Sequence, residues 1–221
     1  MNLLVEPYRI LNRILLFFES ILALFPSFHF FRSTKNDEYP VSLKIWYFQK
    51  FKGINGAAYW PMHPSSVVKY QHKVLIGKHS YPGYQPGCFI NGSNGIIIGD
   101  YTYFATNLGL MSSNHDLHDL RKLEISNPIE IGSYCWIGMN SVILPEVKLG
   151  DFTIVGAGSI VTKSFPEGYC VIAGNPAKII KKLDPEKCIK YQKETNAIGY
   201  LTLSEFETKK QRIKKDIWNI C

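Results

Sequence analysis

Residues 129–180 read IEIGSYCWIGMNSVILPEVKLGDFTIVGAGSIVTKSFPEGYCVIAGNPAKII, and they decide the fold. From Ile131 an aliphatic residue returns every six positions: Ile137, Ile143, Leu149, Val155 and Val161. Glycine follows four of these, at Gly132, Gly138, Gly150 and Gly156. A small or slender residue stands four places after each of the first five, at Cys135, Ser141, Val147, Thr153 and Ser159. A period of six suits neither an amphipathic helix nor a hairpin. It suits a solenoid in which each hexad is one short strand and a turn, and three hexads close a triangular coil. The aliphatics point inward, the small residue eases the corner, and glycine supplies a corner of positive φ. Coils stack at about 4.8 Å, so each backbone group finds a partner above and below.

This run resembles the hexapeptide-repeat acyltransferases. The likeness is most specific at Cys135-Trp136-Ile137-Gly138, Val155-Gly156-Ala157-Gly158-Ser159, Val161-Thr162-Lys163 and Ala173-Gly174-Asn175-Pro176-Ala177-Lys178. It implies a mainly β fold: a left-handed parallel β-helix, with an N-terminal helical segment and a C-terminal capping helix, assembled as a homotrimer. It also implies an enzyme that uses acetyl-CoA as co-substrate. Within the family the sequence is similar to the sugar acetyltransferases of O-antigen and capsule synthesis. The acceptor so implied is a nucleotide-activated amino sugar such as GDP-perosamine, N-acetylated in lipopolysaccharide synthesis. A hydroxyl on a polysaccharide or lipid-linked sugar is the alternative, and a non-catalytic scaffold is another.

Working outward, the hexad step extends back through Leu110, Phe104 and Ile98, with Ile76-Gly77 opening a less regular stretch. It breaks between Leu110 and Ile131, so a loop over 114–128 leaves the coil. The expected organisation is an apolar helical region and linker over 1–66, a β-helix over 67–180, and a basic helical tail over 181–221. The tail's helix would protect the strand edge of the last coil. Aromatics between Gly53 and Tyr84 would cover the first coil.

The loop carries His115 and His118 among Asp116 and Asp119. Acetyl transfer needs a base for the acceptor's proton, and imidazole has the right pKa. In the family such a histidine follows an Ala-x-Asn turn by eight residues, as His115 follows Asn107 here. The resemblance therefore makes His115 the general base and Asn107 an acceptor contact. His118 is a solvated or positioning residue. Either aspartate orients His115 or merely caps the loop. His-Asp-Leu-His-Asp also has the ingredients of a zinc site, but no third soft ligand lies nearby, and no metal is expected.

The resemblance places acetyl-CoA against Trp136, Gly138 and Ala157 along the pantetheine arm. It places Thr162 and Lys163 at the nucleotide end, and Lys178 and Lys181 near the phosphates. Trp136 also suits packing between subunits. Met139 stands where the family often has a smaller residue.

The chain has 221 residues, 46% hydrophobic and 19% charged, which is the composition of a globular protein. Its net charge of +7 favours an anionic partner. No basic run is interleaved with aromatics, so no nucleic acid is expected. Five scattered cysteines with no CxxC pair argue for a reducing compartment. The expected location is the cytoplasm, at its inner membrane face if the N-terminus touches lipid. Residues 10–31 are very apolar, but Arg13, Glu19 and Pro26 interrupt them. That pattern suits a helix lying on a membrane or a subunit, or a plain buried helix, better than a span.

Overall fold

A computed structural model describes residues 5–218; residues 1–4, Cys221 and the end of the tail lie outside that range. Three helices come first: α1 (Val5–Leu22), α2 (His29–Ser33) and α3 (Leu43–Trp46). The chain turns after α1, ahead of Pro26. It then folds back so that α1 rests on α2 and α3. Phe30, Phe31, Val41 and Tyr200 form a small core of their own there.

Fourteen strands follow in the solenoid and its edge, two to six residues each: β1 (Val67–Lys69), β2 (Val74–Leu75), β3 (Phe89–Asn91), β4 (Ile96–Ile98), β5 (Tyr103–Phe104), β6 (Gly109–Met111), β7 (Ile129–Ile131), β8 (Trp136–Ile137), β9 (Val142–Ile143), β10 (Lys148–Leu149), β11 (Thr153–Val155), β12 (Ile160–Val161), β13 (Cys170–Gly174) and β14 (Ala177–Lys182). They form three sheets, ordered β1-β3-β6-β9-β12, β2-β4-β7-β10 and β5-β8-β11-β13-β14. Every pairing inside the coils is parallel, and Ile137 meets Val155 while Ile143 meets Val161, three hexads on. The architecture is a left-handed parallel β-helix of about five turns.

The six hexad aliphatics are at most 3% exposed, so they do fill the axis. The small residues four places on also point inward, and Cys135, Ser141, Val147, Thr153 and Ser159 are all buried. Their hydroxyls reach backbone carbonyls, as in Ser141 Oγ to Gly156 O at 3.0 Å and Thr102 Oγ1 to Gly132 O at 2.8 Å. A buried hydroxyl without such a partner would be costly.

The hexad glycines serve a different end from the one the sequence suggests. Gly132, Gly138 and Gly150 do not have positive φ. They are needed because the coils touch there: a Cβ on Gly132 would stand 2.6 Å from the Asp151 nitrogen. The left-handed corner is taken two residues later by larger side chains, at His79, Tyr101, Tyr134 and Phe152, with Tyr169 above them. Their rings stack up one corner of the prism, with centroids 4.9–5.4 Å apart.

The C-terminal helix also sits elsewhere than expected. The edge of the last coil is covered by β14, which turns back antiparallel on β13. With that edge paired, the chain descends the ring-lined corner, where Tyr191 hydrogen-bonds Tyr103 and Tyr134. It then forms a hairpin, β15 (Ala197–Ile198) with β16 (Leu201–Thr202), and ends in α4 (Leu203–Trp218). Phe206, Ile213 and Ile217 of α4 are buried against the first coils: Phe206 lies by Tyr59, and Ile217 by Gly95 and Pro128. Tyr59 and Trp60 close the bottom of the core, 4% and 0% exposed.

Candidate functional site

The loop over 112–128 leaves the prism between β6 and β7, in the third coil. Its base is held by Asn94, whose side-chain amide donates to Ser112 O, Glu124 O and Ser126 Oγ at 2.8–3.0 Å. His115 bridges Leu123 in antiparallel fashion, and Asp116 N donates to Lys122 O at 3.0 Å. Asp116 Oδ1 then accepts from His118 N and Asp119 N, closing an Asx turn at the tip. The loop is thus a built hairpin rather than a slack connection.

His115 is exposed, and its Nδ1 lies 2.6 Å from Leu120 O. A carbonyl only accepts, so Nδ1 donates and the ring is held with Nε2 bearing the lone pair. No hydrogen bond among the described residues engages that Nε2. Neither aspartate orients the imidazole. Asp119 is instead paired with Arg121 at 2.8 Å, which holds its carboxyl below the usual range. The His118 side chain is 97% exposed.

A cleft of about 440 Å³ lies at a different corner of the prism. Its walls are Trp136, Ile154, Tyr103 and the turns Ala105-Thr106, Gly138-Met139 and Gly156-Ala157. Tyr39, from the polar linker, closes one end, with its ring 4.9 Å from Tyr84 and 5.8 Å from Tyr103. Burial pushes the Tyr39 hydroxyl up to about 12, so it stays neutral. Asn107 stands next to this cleft with φ of 56°, on the turn that enters β6.

The candidate residues therefore fall into two groups, on the two edges of the sheet β1-β3-β6-β9-β12. Asn107, Trp136, Gly138 and Ala157 gather at the edge where that sheet's strands begin. His115, Thr162 and Lys163 lie where its strands end, and His115 does not line the cleft. Lys178 and Lys181 are exposed on β14, beyond the last coil. Trp136 and Met139 at one edge, and Leu117, Leu120 and Ile125 at the other, are 47–83% exposed.

Cys88, Cys135 and Cys170 are buried, and burial raises each thiol, Cys135 to about 12. None of the three is a thiolate nucleophile. Among the described residues no three His, Cys, Asp or Glu side chains are grouped to hold a metal ion. Asn94, Leu120 and Tyr39 had no signal in the sequence. Their parts depend on a loop base, a loop carbonyl and a linker that only the folded chain brings into place.

A family model for the bacterial transferase hexapeptide (six repeats) matches residues 128–163. The galactoside O-acetyltransferase of Escherichia coli (strain K12) is 36% identical over 126 residues, which are 56% of this chain and 61% of that protein. The chain thus spans about three fifths of the length of the curated relatives it matches. Among solved structures, a galactoside acetyltransferase in complex with coenzyme A superposes with a TM-score of 0.52 at 28% identity, covering 68% of this chain and 82% of that one. A maltose O-acetyltransferase from Clostridium difficile 630 shares the fold, with a TM-score of 0.51 at 23% identity, covering 74% and 89%.

Proposed function

We propose that this chain belongs with the hexapeptide-repeat transferases it resembles and carries the acetyl group of acetyl-CoA onto a sugar hydroxyl. The observation that carries the reading is His115, oriented by Leu120 O so that Nε2 is free to take a proton. Neither the cleft nor the His115 loop presents a cysteine, so transfer runs directly from thioester to acceptor. Nε2 of His115 removes the hydroxyl proton as the oxygen attacks the thioester carbonyl. The tetrahedral intermediate then expels the coenzyme A thiolate, and the proton on His115 returns to sulfur.

An oxygen acceptor is favoured over the amine of a nucleotide-linked sugar by the relatives, which are named galactoside and maltose O-acetyltransferases. Nothing among them supports N-acetylation of GDP-perosamine. Acetyl-CoA fits the cleft at Trp136, where Gly138 and Ala157 let a slender arm lie close to the coil. Lys163, Lys178 and Lys181 serve its phosphates as point charges. The division of the candidates between two sheet edges supports a ring of identical chains, a homotrimer, in which the His115 edge of one copy meets the Trp136 edge of the next. The exposed apolar side chains at both edges are what such a contact would cover.

We place the protein in the cytoplasm at the inner membrane face. No described helix is long and apolar enough to cross a membrane. Yet α1 leaves Ile10, Ile14, Phe17, Phe18 and Ile21 40–63% exposed on one face, with Arg9 and Arg13 beside it. An apolar face with a cationic flank complements an anionic lipid surface. Phe17→Glu should abolish sedimentation with phosphatidylglycerol vesicles. A shift in oligomer size instead of lipid binding would assign that face to a second copy.

The direct test is thiol release from acetyl-CoA against galactosides, maltose and GDP- or UDP-linked amino sugars. Release with a simple sugar, giving an alkali-labile ester, supports the reading. An alkali-stable amide on an amino sugar would move it to N-acetylation. No release with any acceptor, and no acetyl-CoA binding, would leave a scaffold.

A further inference from the structure

A cavity roomier than the Trp136 cleft lies elsewhere on the molecule. A space of about 640 Å³ opens between α4 and the 3₁₀ turn Gln71–Lys73, lined by Gln71, His72, Lys73, Lys209, Arg212 and Asp216 over a floor of Ala57 and Ile213. Its position is set by the buried Phe206 and Ile213, which fix α4 on the first coil. Positions 209, 212, 213 and 216 share one face of a helix, so three charged side chains flank Ile213 along the cavity.

The charges there are unbalanced. Lys73, Lys209 and Arg212 make no ion pair among the described residues, whereas Lys210 on the next position pairs with Glu207 at 3.6 Å. Arg212 and Asp216, one turn apart, do not pair either. Lys73 is held in place by its Nζ donating to Ser93 O at 3.0 Å, and Lys209 Nζ lies 5.5 Å from the Tyr59 ring. Lys50 lies nearby; burial first, and then the charge of Lys209, push its amine down to about 8. Three cations against the one carboxylate of Asp216 leave the lining net positive, which suits an anionic ligand.

We propose that this cavity binds the diphosphate of an activated sugar, with Lys73, Lys209 and Arg212 on the phosphates and Asp216 accepting from a sugar hydroxyl. The volume is that of a small-ligand site. Arg212 supplies a planar fork for two phosphate oxygens, the lysines supply point charges, and Gln71 and His72 supply further polar edges. A free phosphate alone would leave both the carboxylate and most of the volume unused. The assignment stands apart from acetyl transfer, because it rests on no residue of the Trp136 cleft or the His115 loop.

The test is binding, not turnover. The full chain, saturated with coenzyme A to occupy any other phosphate site, is titrated calorimetrically with UDP. In a second arm it is sedimented with phosphatidylcholine vesicles, plain or carrying a polyprenyl diphosphate. UDP binding that weakens at least tenfold in Lys209→Gln/Arg212→Gln, and is unchanged in Lys214→Gln/Lys215→Gln, which removes as much charge from the same helix outside the cavity, supports a soluble sugar nucleotide. A gain in sedimentation that needs the diphosphate lipid, and is lost in the same double variant, supports a lipid-borne one. Arg212→Glu alone, at an exposed position, repeats the test where the double variant melts early. Failure of both arms in the parent protein, or equal binding in the variants, overturns the proposal.

Discussion

Gly132→Ala should be far more damaging than its chemistry suggests, because the glycine is there for contact and not for conformation. A methyl at this position meets Asp151 N and Oδ1 at 2.6 Å and Gly150 C at 2.7 Å. Ordinary contact begins near 3.4 Å, so the third and fourth coils must part by most of an ångström. Backbone cannot swing away as a side chain does. The bonds across the gap are Gly132 N to Leu149 O and Ser133 N to Asp151 Oδ1, both 2.8 Å. Overpacking costs about 1–3 kcal/mol, and two strained hydrogen bonds add about 1 kcal/mol each. The expected loss is about 3–5 kcal/mol, or roughly 10 °C in Tm for a chain of this size. Gly53→Ala is the matched control: it has φ of +76° and nothing within 4 Å of a new Cβ, so it bears only conformational strain of about 1 kcal/mol. Thermal melts of both variants, at one protein concentration, decide the matter. Equal losses, or a larger loss for Gly53→Ala, would refute the reasoning that coil contact and not φ selects these glycines.

Other consequences are as specific. Ile137→Ala, at a side chain 0% exposed between Phe104 and Val155, should cost about 2–5 kcal/mol in urea unfolding. His115→Ala should lower kcat by about 10²–10⁴-fold with acetyl-CoA affinity unchanged, which equilibrium binding on the same preparation checks. Trp136→Ala should instead weaken acetyl-CoA by about tenfold, the worth of one stacked aromatic contact. Asp37 lies 3.7 Å from His79, and burial, opposed by Lys193, pushes its carboxyl up to about 6. A raised carboxylate pKa means that ionisation opposes folding, so Asp37 costs the parent stability as pH rises from about 4 through 6. Burial also lowers the His79 pKa, whose contribution to stability rises with pH, so the readout is the difference between parent and Asp37→Asn and not the parent's own profile. Asp37→Asn escapes it, and its stability relative to the parent should improve by about 1–2 kcal/mol between pH 4 and pH 7 after discounting for solvent. A pH-independent difference would contradict the burial argument.

The hexad was legible because each inward aliphatic repeats at a fixed step, and a solenoid has no other way to use that step. The 114–128 loop was legible for the converse reason: Leu110 to Ile131 is not a whole number of hexads. What misled was the glycine. Gly132 and a left-handed corner glycine look alike in a sequence, and only the neighbouring coil's backbone distinguishes them. The left-handed corners went to Tyr101, Tyr134 and Phe152, residue types that rarely take that conformation, because each ring is held by stacking on the next. The tail was misplaced since nothing before Ala177 announces that β14 will turn back and cover the edge itself. With that edge paired, Phe206, Ile213 and Ile217 went to the apolar surface of the first coils instead. The two groups of candidate residues were readable one by one. Their separation on opposite edges of one sheet was not, because it depends on which of the three sheets each hexad joins, and the extruded loop breaks that count between Leu110 and Ile131.

The central claim is that one active site needs the His115 edge of one chain and the Trp136 edge of another, and a mixing experiment tests it most directly. His115→Ala lacks the base, and Ala157→Trp fills the groove, so each alone should be inactive in acetyl-CoA thiol release. Unfolded together in equal amounts and refolded, the two should recover about a quarter of the parent rate, the fraction of interfaces that pair two intact edges. Mixed assemblies that form but stay inactive, or a parent chain that is fully active as a monomer, would contradict the account.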